Sequence, residues 1–155
     1  MVDKKISIYG ELESQSPFNT DQLLFEVSNT HIALLVKMVP NNQVAALEVF
    51  TFNSLTTSWY DVFYQVRAQS KILDRSYNDT RIFYTTQESV IVPSEKFTIE
   101  SAEAFLNTVH GTPTNHILKY DNVNIQPAVV NVYRVKKVLN EMVNANLIMV
   151  TTKHV

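Results

Sequence analysis

Residues 23–52, LLFEVSNTHIALLVKMVPNNQVAALEVFTF, decide the fold. Leu23 to Ser28 alternates, with Leu23, Phe25 and Val27 on one side, the period-two pattern of a strand with one buried face. Asn29-Thr30 can turn the chain. His31 to Val39 is apolar on both sides. Pro40 followed by Asn41-Asn42 predicts a second tight turn, because Asn tolerates the left-handed conformation such turns require. Val44 to Phe52 reads as a third strand, and three strands joined by two short turns make an antiparallel meander. Runs apolar on both faces imply a sheet covered on both sides, at least at its centre.

Working outward, the next segment supplies cover. Trp59, Val62, Phe63, Val66 and Leu73 recur at helical spacing, predicting a helix over about 57–73. Arg81 to Thr86 is a fourth strand, with Ser89 to Val92 extended after it. Thr98 is a fitting N-cap for a second helix, with Glu100 and Glu103 near its positive end. Ala102, Phe105, Leu106 and Val109 form its expected inner stripe, and Gly111 is placed to end it. Ile117 to Val123 and Ala128 to Val135 read as strands separated by Pro127. A third helix, about 135–145, is expected to bury Val135, Val138, Leu139, Met142 and Val143, and Leu147 to Thr152 closes the chain as a strand. Upstream, residues 4–9 predict a short strand, then a polar linker ending Ser14-Gln15-Ser16-Pro17. The expected organisation is therefore an N-terminal strand and linker over 1–19, and one domain over 20–155.

The 155-residue length suits a single domain. An apolar share of 45% against 18% charged residues excludes a long disordered chain. The absence of cysteine removes disulfides, thiolate nucleophiles and Cys-based metal sites, and fits a reducing compartment. The N-terminus carries no apolar run long enough for a signal peptide. No stretch approaches the ~20 apolar residues that span a bilayer, so the expected location is cytoplasmic, with no membrane span. Asn78-Asp79-Thr80 matches a glycosylation sequon by chance on that reading. A formal net charge of −2 gives no general pull toward nucleic acid. The only glycines are Gly10 and Gly111. Phosphate-cradling loops, dinucleotide fingerprints and the nucleophile elbow of hydrolases need several glycines at fixed spacing, so all three are excluded.

A three-strand meander followed by helix–strand alternation, with helices covering a mixed sheet, is an α/β arrangement similar to a ribonuclease-H-like or actin-like half-domain. Four stretches carry a more local resemblance: ESVIVPSEK (88–96), SAEAFL (101–106), HILKYDNV (116–123) and NVYRVKKVLNEM (131–142). They resemble an uncharacterised bacterial family of actin-like fold, and with the meander the resemblance covers most of residues 20–153. It implies relatives that are longer, two-lobed and stripped of ATPase motifs. It also implies that this chain corresponds to about one lobe, whereas actin-type nucleotide sites lie in the cleft between two.

An actin-like phosphate loop would occupy the first turn, Glu26-Val27-Ser28-Asn29-Thr30-His31. Glu26, Ser28 and Thr30 fit in type, but no glycine opens the backbone. A ribonuclease-H-type nuclease needs carboxylates converging on two metal ions. Glu26 on the first strand and Asp61 on the first helix qualify, but the fourth strand ends Thr85-Thr86 and offers no acid before Glu88. Of the histidines, His110 and His116 bracket a loop without metal-ligand spacing, and His31 and His154 stand apart, so no metal site is expected. No serine is flagged for a Ser–His–Asp arrangement, which assembles in space rather than in sequence. Glu48 shares a strand face with Ala46, Phe50 and Phe52. Buried and unpaired, its pKa would rise and mark a functional group; an open face, or pairing with Lys37 on the next strand, would make it ordinary. Arg134, Lys136 and Lys137 gather near the start of the third helix, where the dipole favours anions, as a candidate anion or partner patch.

The resulting expectation is a protein of unknown function that acts as a non-catalytic interaction or scaffold element, with no cofactor and no nucleic-acid partner. It is expected to form a homo-oligomer (a dimer) or to bind another protein. The strand Lys5 to Tyr9 would pair with a sheet edge, its own or a neighbour's. The alternative is a degenerate nucleotide- or metal-dependent phosphate-handling enzyme using Glu26, Asp61 and Glu88. A small-molecule pocket near Tyr60, Tyr64 or Tyr84 rests on the aromatic count alone.

Overall fold

A computed structural model describes residues 1–10, 21–39, 42–77, 79–85, 88–146 and 152–154. The elements are β1 (Asp3–Ile8), β2 (Asp21–Val27), β3 (His31–Met38), β4 (Gln43–Thr51), α1 (Trp59–Gln69), β5 (Asp79–Tyr84), β6 (Ser89–Pro93), α2 (Ile99–His110), β7 (His116–Val123), β8 (Val129–Lys136), α3 (Lys137–Asn146) and β9 (Thr152–His154). Two compact units result: Met1–Thr85 with Met142–Val155, and Thr86–Glu141.

The first unit holds a six-stranded sheet in the order β1-β4-β3-β2-β5-β9. The meander forms as expected: β2 pairs antiparallel with β3, and β3 with β4. Asn42 takes the left-handed conformation (φ 59°) expected of the second turn, whose Pro40 and Asn41 lie outside the described residues. β5 then lies parallel to β2, and β9 parallel to β5. β1 closes the other side by pairing antiparallel with β4, so the N-terminal strand uses its own chain's edge.

Strand alternation sorts the side chains. Leu23, Phe25, Val27, Ile32, Leu34, Val36, Phe50 and Ile82 point to one face and are fully or almost fully buried. α1 covers that face. Ser58 caps its N-terminus by accepting the Asp61 N–H, and Ser70 ends it by donating its own N–H to the Val66 carbonyl. Phe25 stacks on Phe63 at 6.2 Å between ring centroids, and Phe52 meets Trp59 edge-on at 5.4 Å. Such contacts add to the ~1.5–3 kcal/mol of burying each large apolar side chain. The helix is shorter than the expected 57–73 because Ser70 takes extended backbone (φ −87°, ψ 128°); Leu73 is buried beyond it.

The second unit departs from the expected continuation of one sheet. Residues 89–136 build a separate antiparallel sheet, β6-β8-β7. Its core is Val92, Val130 and Val132 against Ala102 and Leu106 of α2. Thr98 caps α2 and Gly111 (φ 79°) ends it, as the sequence predicted, and Ser101 makes the Thr98 cap reciprocal. Phe105 and Val109, however, are 46% and 63% exposed. A sheet of three narrow strands leaves room for only the centre of the apolar stripe. Val135 belongs to β8 and not to α3, whose first residue is Lys137. The expected closing strand over 147–152 lies mostly outside the described residues; β9 begins at Thr152.

Phe63→Ala should lower unfolding stability by about 3–5 kcal/mol, because it removes a ring stacked on Phe25 in a closed core. Phe105→Ala should change it by no more than about 0.5 kcal/mol. Urea melts of both variants at constant m-value check the contrast.

Candidate functional site

The first turn is the place the fold would put a phosphate loop, and its backbone is closed. The Ser28 N–H donates to the His31 carbonyl at 2.9 Å. The Ser28 Oγ accepts the N–H groups of Thr30 (3.2 Å) and His31 (3.0 Å). The two amides best placed to meet an anion are therefore taken by a side chain of the same turn, the usual behaviour of Ser in a hydroxyl-closed turn.

Around that turn lies a relay that the sequence did not flag. Ser28 Oγ is 2.8 Å from His31 Nδ1, and His31 Nε2 is 3.0 Å from Glu26 Oε1. Thr85 Oγ1 also donates to Glu26 Oε1 at 3.1 Å. Ser, His and Glu in series resemble a nucleophile triad in outline. The resemblance stops at Ser28: both its lone pairs already accept backbone amides, and a nucleophile needs one free. Glu26 and His31 here fasten the turn.

Asp61 does not join them. Glu26 alternates with Phe25 and Val27, which face α1, so its carboxylate lies on the opposite side of the sheet from that helix. Asp61 sits in the first turn of α1, accepting the Ser58 hydroxyl at 3.0 Å. Among the described residues, no group of three or more His, Asp or Glu is gathered to hold a metal ion.

Glu48 is fully buried, on the α1-covered face. Its partner is not Lys37, which stands opposite Val44, nor anything on β3, where Leu34 faces it. The cation is Lys4, with Nζ 3.2 Å from Oε1. Tyr9 donates to Oε1 at 2.5 Å, the Lys71 N–H to Oε1 at 2.9 Å and the Ser70 hydroxyl to Oε2 at 2.5 Å. Lys4 also donates to Tyr9 Oη and to the Gln69 carbonyl. Burial pushes the Glu48 carboxyl up, but these donors outweigh it and hold the pKa below the ordinary value. The upward shift that unpaired burial would bring is thus reversed. The signal was out of sequence range: Tyr9 lies 39 positions away, joined only by the β1–β4 register.

In the second unit, Arg134 does not stand with Lys136 and Lys137 on the exposed surface. It lies on β8 with 4% of its side chain exposed. Its guanidinium donates to Glu88 (2.6 Å), to Asn107 (3.3 Å) and to the carbonyls of Gly111 (2.8 Å) and His110 (3.1 Å). A cation on those carbonyls satisfies the C-terminal end of α2. The hydrogen bond from Arg134 holds the Glu88 carboxyl below its ordinary pKa, with His116 Nε2 3.8 Å away. His110 faces the Ser89 carbonyl at 3.2 Å. A recess of about 50 Å³ beside Arg134, lined also by Glu103, Leu106 and His116, is far smaller than the ~300–1,000 Å³ of ligand pockets.

The sheet order, with its parallel β5 beside the meander, is that of an actin-like ATPase fold. A crystal structure of a Bacteroides thetaiotaomicron VPI-5482 protein with that fold and unknown function, solved at 1.85 Å, is similar with a TM-score of 0.74 and 17% identity. The match covers 90% of this chain and 55% of that one, so the chain spans little more than half its length. Residues 14–155 match the family described as "Protein of unknown function (DUF3822)", and the chain belongs to it. No curated protein matches. No helix among the described residues is long and apolar enough to cross a membrane.

Glu48→Gln should cost about 2–3 kcal/mol, below the roughly 3–5 kcal/mol for breaking a fully buried pair, because Lys4 can turn toward water. A carboxylate lowered in the folded state stabilises fully above its unfolded pKa of about 4.3 and loses that contribution as pH falls through the folded value. The variant should therefore show a shallower stability decline between pH 5 and 3, read from urea melts across that range.

Proposed function

We propose that the chain is a non-catalytic interaction or scaffold element built on an actin-like lobe, working in the cytoplasm, where a cysteine-free chain is at home. The observation that carries this reading is the closed first turn. Ser28 occupies the two amides that a phosphate would need, while Glu26 is engaged by His31 and Thr85 on the side of the sheet away from Asp61. The family and the similar crystal structure carry the fold without an assigned activity.

Thermal melts with ATP, Mg²⁺ and Mn²⁺, singly and combined, separate this reading from a degenerate phosphate-handling enzyme. A bound ligand at 100 times its dissociation constant adds about 2.7 kcal/mol of stability. The midpoint is expected to stay unchanged. An upward shift with ATP and Mg²⁺ that disappears in Glu26→Gln would establish the enzyme instead.

A further inference from the structure

The sheet face opposite α1 carries an apolar surface that stays partly in water. Cross-strand register lines it up in two rows. The first runs Ile8, Leu47, Leu35 and Leu24 across β1, β4, β3 and β2, and ends at Arg81 on β5. The second runs Ile6, Val49 and Ala33, then Glu26 and Phe83. None of these side chains is buried, and Ile6 and Ile8 are 42% and 57% exposed. An apolar stretch that carries opposite charges at its β2–β5 end has the composition of an interface.

Resting on the interaction reading above, we infer that this face binds a second copy of the chain, around a two-fold axis running across the strands between the two rows. That axis lays each row on the other row of the partner copy. Leu35 then meets Ala33, large against small, and Ile8 meets Ile6. Arg81 comes over Phe83 and beside Glu26 of the second copy, so opposite charges meet twice, as an isologous contact requires. A net charge of −2 opposes self-association little. The edge of β1 is a poorer contact: it carries a register shift between Lys4 and Ile6, with Lys5 at the irregularity, a common guard against strand addition. The five strands span about 19 Å at ~4.8 Å each, a footprint well under the ~800 Å² per partner of a standard interface. The dimer is therefore weak and concentration-dependent.

Sedimentation equilibrium of the full chain from about 10 µM to 1 mM tests it. The wild type should rise toward twice the monomer mass. Ile8→Glu, an exposed change that leaves the fold intact by circular dichroism, should remain monomeric throughout. Arg81→Glu and Glu26→Arg should each associate at least tenfold more weakly, and an equimolar mixture of the two should regain association by pairing swapped charges. A wild type that stays monomeric, a dimer that survives Ile8→Glu, or a mixture no better than its components overturns the proposal. The ATP and Mg²⁺ melts fail separately: a shift there removes the non-catalytic reading whatever the mass, and a monomer with no shift removes only the dimer.

Discussion

A carboxylate cut off from water stays ionised only where donors replace the water it lost, and Glu48 sets that requirement at the centre of the first unit. Its donors come from β1 (Lys4), from Tyr9 just beyond it, and from the Ser70 hydroxyl and Lys71 amide at the end of α1. Those three places share no local sequence. One buried charge thereby fixes where the edge strand lies and where the helix stops. An apolar residue of equal size would pack as well, but would leave Tyr9, Ser70 and Lys4 with nothing to hold.

The same arrangement explains why a strand with a bulge and a charged edge belongs to the sheet at all. β1 is short, and most of its side chains are exposed. Its attachment draws on polar anchors at its ends: the Val2 N–H donates to Gln65 at 2.8 Å, and Lys4 reaches Gln69 and Glu48. Strand and helix are thus tied to each other through β4, a long-range link of the kind that makes a sheet and its covering helix melt together.

The meander, α1, the α2 caps and the first tight turn were legible in the sequence because each rests on local chemistry: period-two or helical spacing, a short polar turn, Thr98 and Gly111 at helix ends. What was not legible depended on register or parity. Lys37 looked like the partner of Glu48, but Leu34 stands opposite Glu48 and Lys37, an odd number of residues away on β3, lies on the other face of the sheet. Arg134 looked like part of a basic cluster because Lys136 and Lys137 follow it, yet it is buried against the end of α2, while Lys136, on the same face of β8, lies exposed at the strand's end. Of the candidate site, the residue types at the first turn were visible, and the Ser28 hydroxyl closing that turn was not. A serine two and three residues before the amides it accepts is a local signal that could have been used.

Parity also governs what the two sheet faces can do. On the α1 face, Phe25, Leu34 and Phe50 are closed off by packing, and any polar group there must bring its own partners, as Glu48 does. On the other face, the apolar side chains at the intervening positions are no less hydrophobic, yet they are incompletely covered, with Glu26, Arg81 and Lys37 around them. Leu24, Leu35, Leu47 and Val49 are mostly covered yet keep part of their surface in water, so their burial is incomplete. Runs apolar on both sides, which read in the sequence as a sheet covered twice, therefore describe one face closed by α1 and one whose side chains stay in partial contact with water.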